Sequence, residues 1–88
     1  MNREQFEAEL KRDGYEVMTN TTAGAKVNPE HSHPFDVRAM VMEGALTLTR
    51  DGKTDTYRPG QIFSMPRGCL HYESYGAEGA VVLLGRKF

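Results

Sequence analysis

The chain has little that would place it outside the aqueous globular proteins. A single cysteine, Cys69, cannot close an internal disulfide, which excludes a stapled secreted scaffold. No apolar run approaches the roughly 20 residues of a membrane helix, and the N-terminus is polar and charged, unlike a signal segment. Eleven Lys and Arg against twelve Asp and Glu leave a net charge of -1. Such a balance provides no basic footprint for a nucleic-acid backbone and no polybasic patch for an anionic membrane. There is no internal repeat, low-complexity tract or linker. The expectation is a soluble cytoplasmic protein with neither nucleic acid nor membrane as a partner.

What is present is ordinary globular composition, 39% hydrophobic and 26% charged, in 88 residues, enough for one domain. A chain of this size buries only about 60–65% of its unfolded surface, so association would be a natural way to cover more. Residues 1–14 read as a short helix. Asn2 and Gln5 stand at capping-box spacing, Phe6 and Leu10 share one face, and Gly14 supplies the left-handed stop. A helix this short must dock its apolar stripe on something.

From Tyr15 onward, turn signals separate short segments rich in Val, Thr, Tyr, Leu and Met, the pattern of an antiparallel all-β domain over residues 15–88. Asp51-Gly52 predicts a primed two-residue hairpin, Arg58-Pro59-Gly60-Gln61 a type II turn, and Glu43-Gly44 and Pro66-Arg67-Gly68 further turns. Eight strands are expected, near residues 15–19, 22–28, 36–42, 45–50, 54–58, 62–65, 70–75 and 80–86. Leu46 and Leu48 alternate with Thr47 and Thr49, as in a half-buried strand. Two segments are apolar on both faces: Val37, Ala39 and Val41 form one row and Met40 and Met42 another, and residues 81–84 are similar. Such strands are covered on both sides. The helix looks too short to cover much, so the outer row is assigned to a second subunit and a homodimer is expected.

The three histidines fall in two motif-like places. His31-Ser32-His33, flanked by Pro29 and Pro34, puts two imidazoles on one face of an extended segment, a spacing suited to sharing one metal ion. His71 follows a Pro-x-Gly turn in a strand that a barrel can set opposite the pair. Neutral imidazoles ligate, so affinity should fall below about pH 6.

The segment from His31 to Gly44 resembles the first cupin motif, HxH followed by Glu and then Gly at set distances. The segment from Gly60 to His71 resembles the second, Gly, five residues, Pro-x-Gly, two residues, His. The resemblance spans residues 22–86. It implies a double-stranded β-helix barrel of the cupin, or jelly-roll, type with His31, His33 and His71 facing inward on one divalent ion, with Fe, Mn, Ni, Zn and Cu all suitable. The family's Glu ligand would fall at Val37 or Arg38, neither of which coordinates metal, and its later Asn is replaced by Tyr75. The reading is therefore a three-histidine site with open positions for water or substrate. Asp36 reaches such a site only if a bulge turns it inward.

Around the site, Phe35, Val37, Ala39 and Val41 would form an apolar wall, suiting a small and partly apolar ligand. Cys69 and Tyr75 share strand parity with His71. Cys69 reads as a small buried residue, and Tyr75 as either a ligand contact or a rim aromatic. Arg38 and Arg67 are either anion contacts at the mouth or solvated charges. Gly24 and Gly44 read as turn residues. Two functions remain open: an Fe(II)-dependent dioxygenase acting on a small molecule, or a non-catalytic small-molecule-binding or sensor module.

Overall fold

The computed structural model describes all residues from Met1 to Phe88. Asn2 caps α1 (Arg3–Arg12): its side chain accepts the Gln5 backbone N–H at 2.8 Å, and the Gln5 side chain accepts the Asn2 N–H at 3.1 Å. Gly14, at φ +84°, turns the chain out of the helix as expected. Six strands follow: β1 (Glu16–Thr22), β2 (Val27–His31), β3 (Asp36–Arg50), β4 (Lys53–Tyr57), β5 (Ile62–Met65) and β6 (His71–Lys87). No helix is long and apolar enough to cross a membrane.

The eight expected strands become six because two pairs are continuous. Residues 36–42 and 45–50 are one strand, β3, and residues 70–75 and 80–86 lie in β6. The expected turn at Glu43-Gly44 is instead a bend inside β3, where its register with β6 slips on either side of Glu43 and Gly44. The bend forms because two glycines cross there. Gly44 and Gly79 hold φ of +76° and +72°. A Cβ on Gly44 would collide with the Gly79 carbonyl, and one on Gly79 with the Thr22 carbonyl. The expected strand at residues 22–28 is broken by a turn, with Ala25 at φ +55°.

β3 and β6 run antiparallel along most of their lengths, and the bend divides them into two halves. In one half β1 pairs with residues 80–86 of β6, and β5 with residues 37–40 of β3. In the other, β2 pairs with the start of β6 and β4 with residues 46–50 of β3. The result is a double-stranded β-helix barrel. Its inner faces meet in a core that includes Ala39, Val41, Leu46, Leu48, Phe63 and Val82.

The local turn chemistry behaves as the sequence predicts. Asp51 and Gly52 both have positive φ, +50° and +74°, as a type I′ hairpin requires. Gln61 donates its N–H to the Arg58 carbonyl at 2.9 Å, closing the turn through Pro59-Gly60. Thr47 and Thr49 pair their hydroxyls with Thr56 and Thr54 on the outer face, while Leu46 and Leu48 point inward.

The outer apolar row is where the expectation needs correcting. Phe6, Leu10, Met40 and Leu83 form a second buried cluster, with Met42 and Ile62 packed against it. Met40 is only 2% exposed. The helix, which looks too short to cover much, covers Met40 and Leu83 with two side chains one turn apart. Gly85 makes the close approach feasible, because a side chain there would meet Leu10 and Tyr15. Arg38 fastens the arrangement, donating to Glu9 at 2.7 Å and lying over the Phe6 ring.

Candidate metal centre

β2 ends at His31, which stands opposite His71, the first residue of β6. This pairing brings their rings to 4.2 Å between centroids. His33 lies beyond the strand, so the two histidines of the HxH triplet do not share one regular strand face as expected. Its ring nevertheless converges, 4.8 Å from His31 and 5.2 Å from His71. Two contacts hold it there. Its carbonyl accepts the Gly68 N–H at 2.9 Å, tying the segment to the Pro66–Gly68 turn, and its ring stacks on Phe35.

The three histidines come together, and a carboxylate that the sequence reading missed joins them. Ligand atoms of His31, His33, His71 and Glu73 all lie within 4.8 Å of one another. Glu73 Oε1 sits 3.1 Å from His71 Nε2 and 3.2 Å from His31 Nε2. At metal bonds of about 2.1 Å, ligands of one ion stand about 3 to 3.5 Å apart, which matches these two separations. Glu73 follows His71 by two residues, so strand alternation puts both on the same face.

The ring nitrogens have an assigned direction. His31 Nδ1 lies 2.7 Å from the Pro29 carbonyl, and His71 Nδ1 lies 3.1 Å from the Cys69 carbonyl. A carbonyl only accepts, so in each neutral ring Nδ1 carries the proton and Nε2 keeps its lone pair. Both lone pairs then face Glu73 Oε1, an arrangement that a cation or a shared proton stabilises and that is otherwise repulsive. The donor set thus fits a divalent ion.

The surroundings tune these groups. Burial, then the nearby charges of His31 and His71, lowers the pKa of His33, which keeps its ring in the neutral, ligating form further into acid. Tyr75 donates its hydroxyl to Glu73 Oε2 at 3.1 Å, and burial followed by the Glu73 charge pushes the phenol up to about 12. Tyr75 is therefore a protonated donor that orients the carboxylate.

The cluster opens on a cavity of about 250 Å³. Phe35, Val37 and Ala39 form its wall as expected, with Leu46, Phe63 and Leu84 beside them, while Val41 packs in the core. Asn20, Asn28 and Arg86 add polar groups. Cys69 stays outside the cluster, half-buried against the core, its thiol 3.7 Å from the Leu70 carbonyl.

Three other expectations resolve away from the site. Asp36 is not turned inward; its Oδ1 accepts the Arg67 backbone N–H at 2.8 Å. That bond, then the Arg67 guanidinium, holds the Asp36 carboxyl below its ordinary range. Arg67 thus pairs with Asp36, and Arg38 is bound to α1 on the opposite face of the sheet. The arginine that does line the cavity is Arg86, unmarked in the sequence reading although it shares parity with Val82 and Leu84.

Comparison with known proteins agrees with this architecture. The family model for the cupin domain matches residues 17–85. A protein of unknown function from Rhizobium leguminosarum superposes with a TM-score of 0.79 at 25% identity, covering 85% of this chain and 71% of its own. A cupin-2 domain protein from Shewanella frigidimarina gives 0.70 at 21% identity, covering 84% and 71%. KdgF from a Halomonas species gives 0.70 at 20%, covering 84% and 69%. No curated protein matches the sequence.

Proposed function

Because this chain belongs to the cupin family, we propose that it is a metal-binding cupin which presents one divalent ion to a small, partly apolar molecule. His31, His33, His71 and Glu73 would hold the ion. The observation that carries the reading is the pair of Nε2 lone pairs directed at one oxygen of Glu73. Imidazole and carboxylate suit Fe, Mn, Ni, Zn and Cu alike. The ion would supply a Lewis-acidic centre with positions left for a ligand.

The chain's own residues prepare that centre. Tyr75 fixes one Glu73 oxygen so that the other faces the histidines. The Pro29 and Cys69 carbonyls fix the tautomers of His31 and His71. Phe35 and the aliphatic wall exclude water around a bound ligand.

With an ion on Oε1 and the Tyr75 hydroxyl on Oε2, both oxygens of Glu73 would be engaged, and it is the one carboxylate among the residues lining the cavity. This favours chemistry that needs no protein acid–base pair, such as Fe(II)-dependent dioxygenation of the bound molecule, over hydrolysis or isomerisation. Metal content of tag-free protein, set against a His31→Ala/His71→Ala variant, tests the site. Loss of metal in the variant is expected; equal content would refute it. Oxygen uptake by the Fe(II)-loaded protein across small thiols, diketones and phenols then tests turnover, and a uniformly flat trace would leave a binding or sensor module.

A further inference from the structure

The cavity's other charged group, Arg86, comes from the far end of β6 and packs on Phe35, the ring that also stacks on His33. On β6, Val82, Leu84 and Arg86 stand opposite Val41, Ala39 and Val37 of β3. Alternation therefore continues the apolar inner face into an arginine, where a small hydrophobe would be expected. The guanidinium lies over the rings of Phe35 and Phe88, 5.4 and 5.6 Å from their centroids. One terminal nitrogen donates to Glu16 at the rim, a side chain 62% exposed. Its Nε is shielded from solvent and has no acceptor. A buried donor left unpaired is costly, and the guanidinium recovers that cost by turning toward a ligand oxygen in the cavity it lines.

Charge points the same way. With a divalent ion bound, Glu73 neutralises half of its charge and Glu16 that of Arg86. One positive charge then remains in a small, largely apolar space.

We propose that Arg86 makes this cavity a carboxylate site, whose ligand is a small monoanion with a carboxylate head and a short apolar body. The planar fork of arginine matches a carboxylate, and one residual charge matches a monoanion better than a phosphate dianion. The inference rests on the metal-pocket reading for the cavity it uses and goes beyond it in naming the ligand class.

The test is calorimetric titration of zinc-loaded protein with butyrate, butyramide and inorganic phosphate, after measuring the zinc content of each sample. Butyrate should bind about tenfold tighter than butyramide and tighter than phosphate. Arg86→Gln should lose about that factor for butyrate, with zinc content and butyramide affinity unchanged. Glu16→Gln, which removes the competing partner, should tighten butyrate. Equal affinity for butyrate and butyramide, tighter phosphate binding, or a wild-type butyrate affinity in Arg86→Gln would overturn the proposal. If Arg86→Gln does not fold, Glu16→Gln decides, and unchanged or weaker butyrate binding there overturns it. Protein that takes up no zinc refutes the metal reading and, with it, the residual positive charge this site needs, whereas failure of the butyrate arms in zinc-loaded protein refutes the carboxylate site alone.

Discussion

At the scale of the residue, the site turns on which strand supplies the carboxylate. The first motif has Val37 and Arg38 where its Glu would stand, and Asp36 beside them is occupied by Arg67. Glu73 enters instead from β6, already placed by the alternation that aims His71 and Tyr75 inward. Removing its charge while keeping its shape should therefore be felt directly by a bound ion. Glu73→Gln should weaken divalent-metal affinity by about 100-fold, and Tyr75→Phe, which only releases the carboxylate, by about tenfold. Competition with a chromophoric chelator measures both. An unchanged affinity in Glu73→Gln would remove this carboxylate from the site. The histidines were legible because HxH and Pro-x-Gly-x-x-His are local spacings. Glu73 shares the strand parity of Cys69 and Tyr75 and was legible by it, but it lies outside the first motif, where the family's Glu stands.

At the scale of the element, the helix and the tight turns were readable because their causes lie within a few residues. Asn2 and Gln5 close the capping box across three positions, and Asp51-Gly52 carries its own dihedral preference. The continuous courses of β3 and β6 were not readable, since the bend depends on Gly44 meeting Gly79 across the barrel. The role of α1 was underestimated for a related reason: its coverage depends on what it meets. Leu10 is fully buried against the outer row. Leu10→Ala should cost about 2–5 kcal/mol in denaturant unfolding. Metal affinity should stay at the wild-type level, because α1 packs on the opposite face of the sheet from the histidines. Matching losses of stability and metal affinity would contradict that separation.

At the scale of the whole molecule, the two ends of β6 carry the acidic and the basic group of the cavity, with Glu73 near its start beside His71 and Arg86 near its finish. Parity with Val82 and Leu84 hinted at an inward Arg86, but its place over the cavity is fixed by the Val37↔Arg86 register, a property of the closed barrel. A charged residue in the sequence Gly85-Arg86-Lys87 otherwise looks like solvated surface.

Sharing β3 and β6 between the two halves also leaves the barrel without a seam along which one half could open alone. Amide hydrogen exchange should register this directly. Val41 and Leu48 sit on either side of the bend in β3, and their N–H groups should exchange with one common free energy, that of global opening. Saturating the histidine end with metal should slow both by the same factor, although Val41 belongs to the other half. Separate free energies for the two amides would show independent halves. A single one means that a ligand held at one mouth of the barrel steadies every strand in the chain.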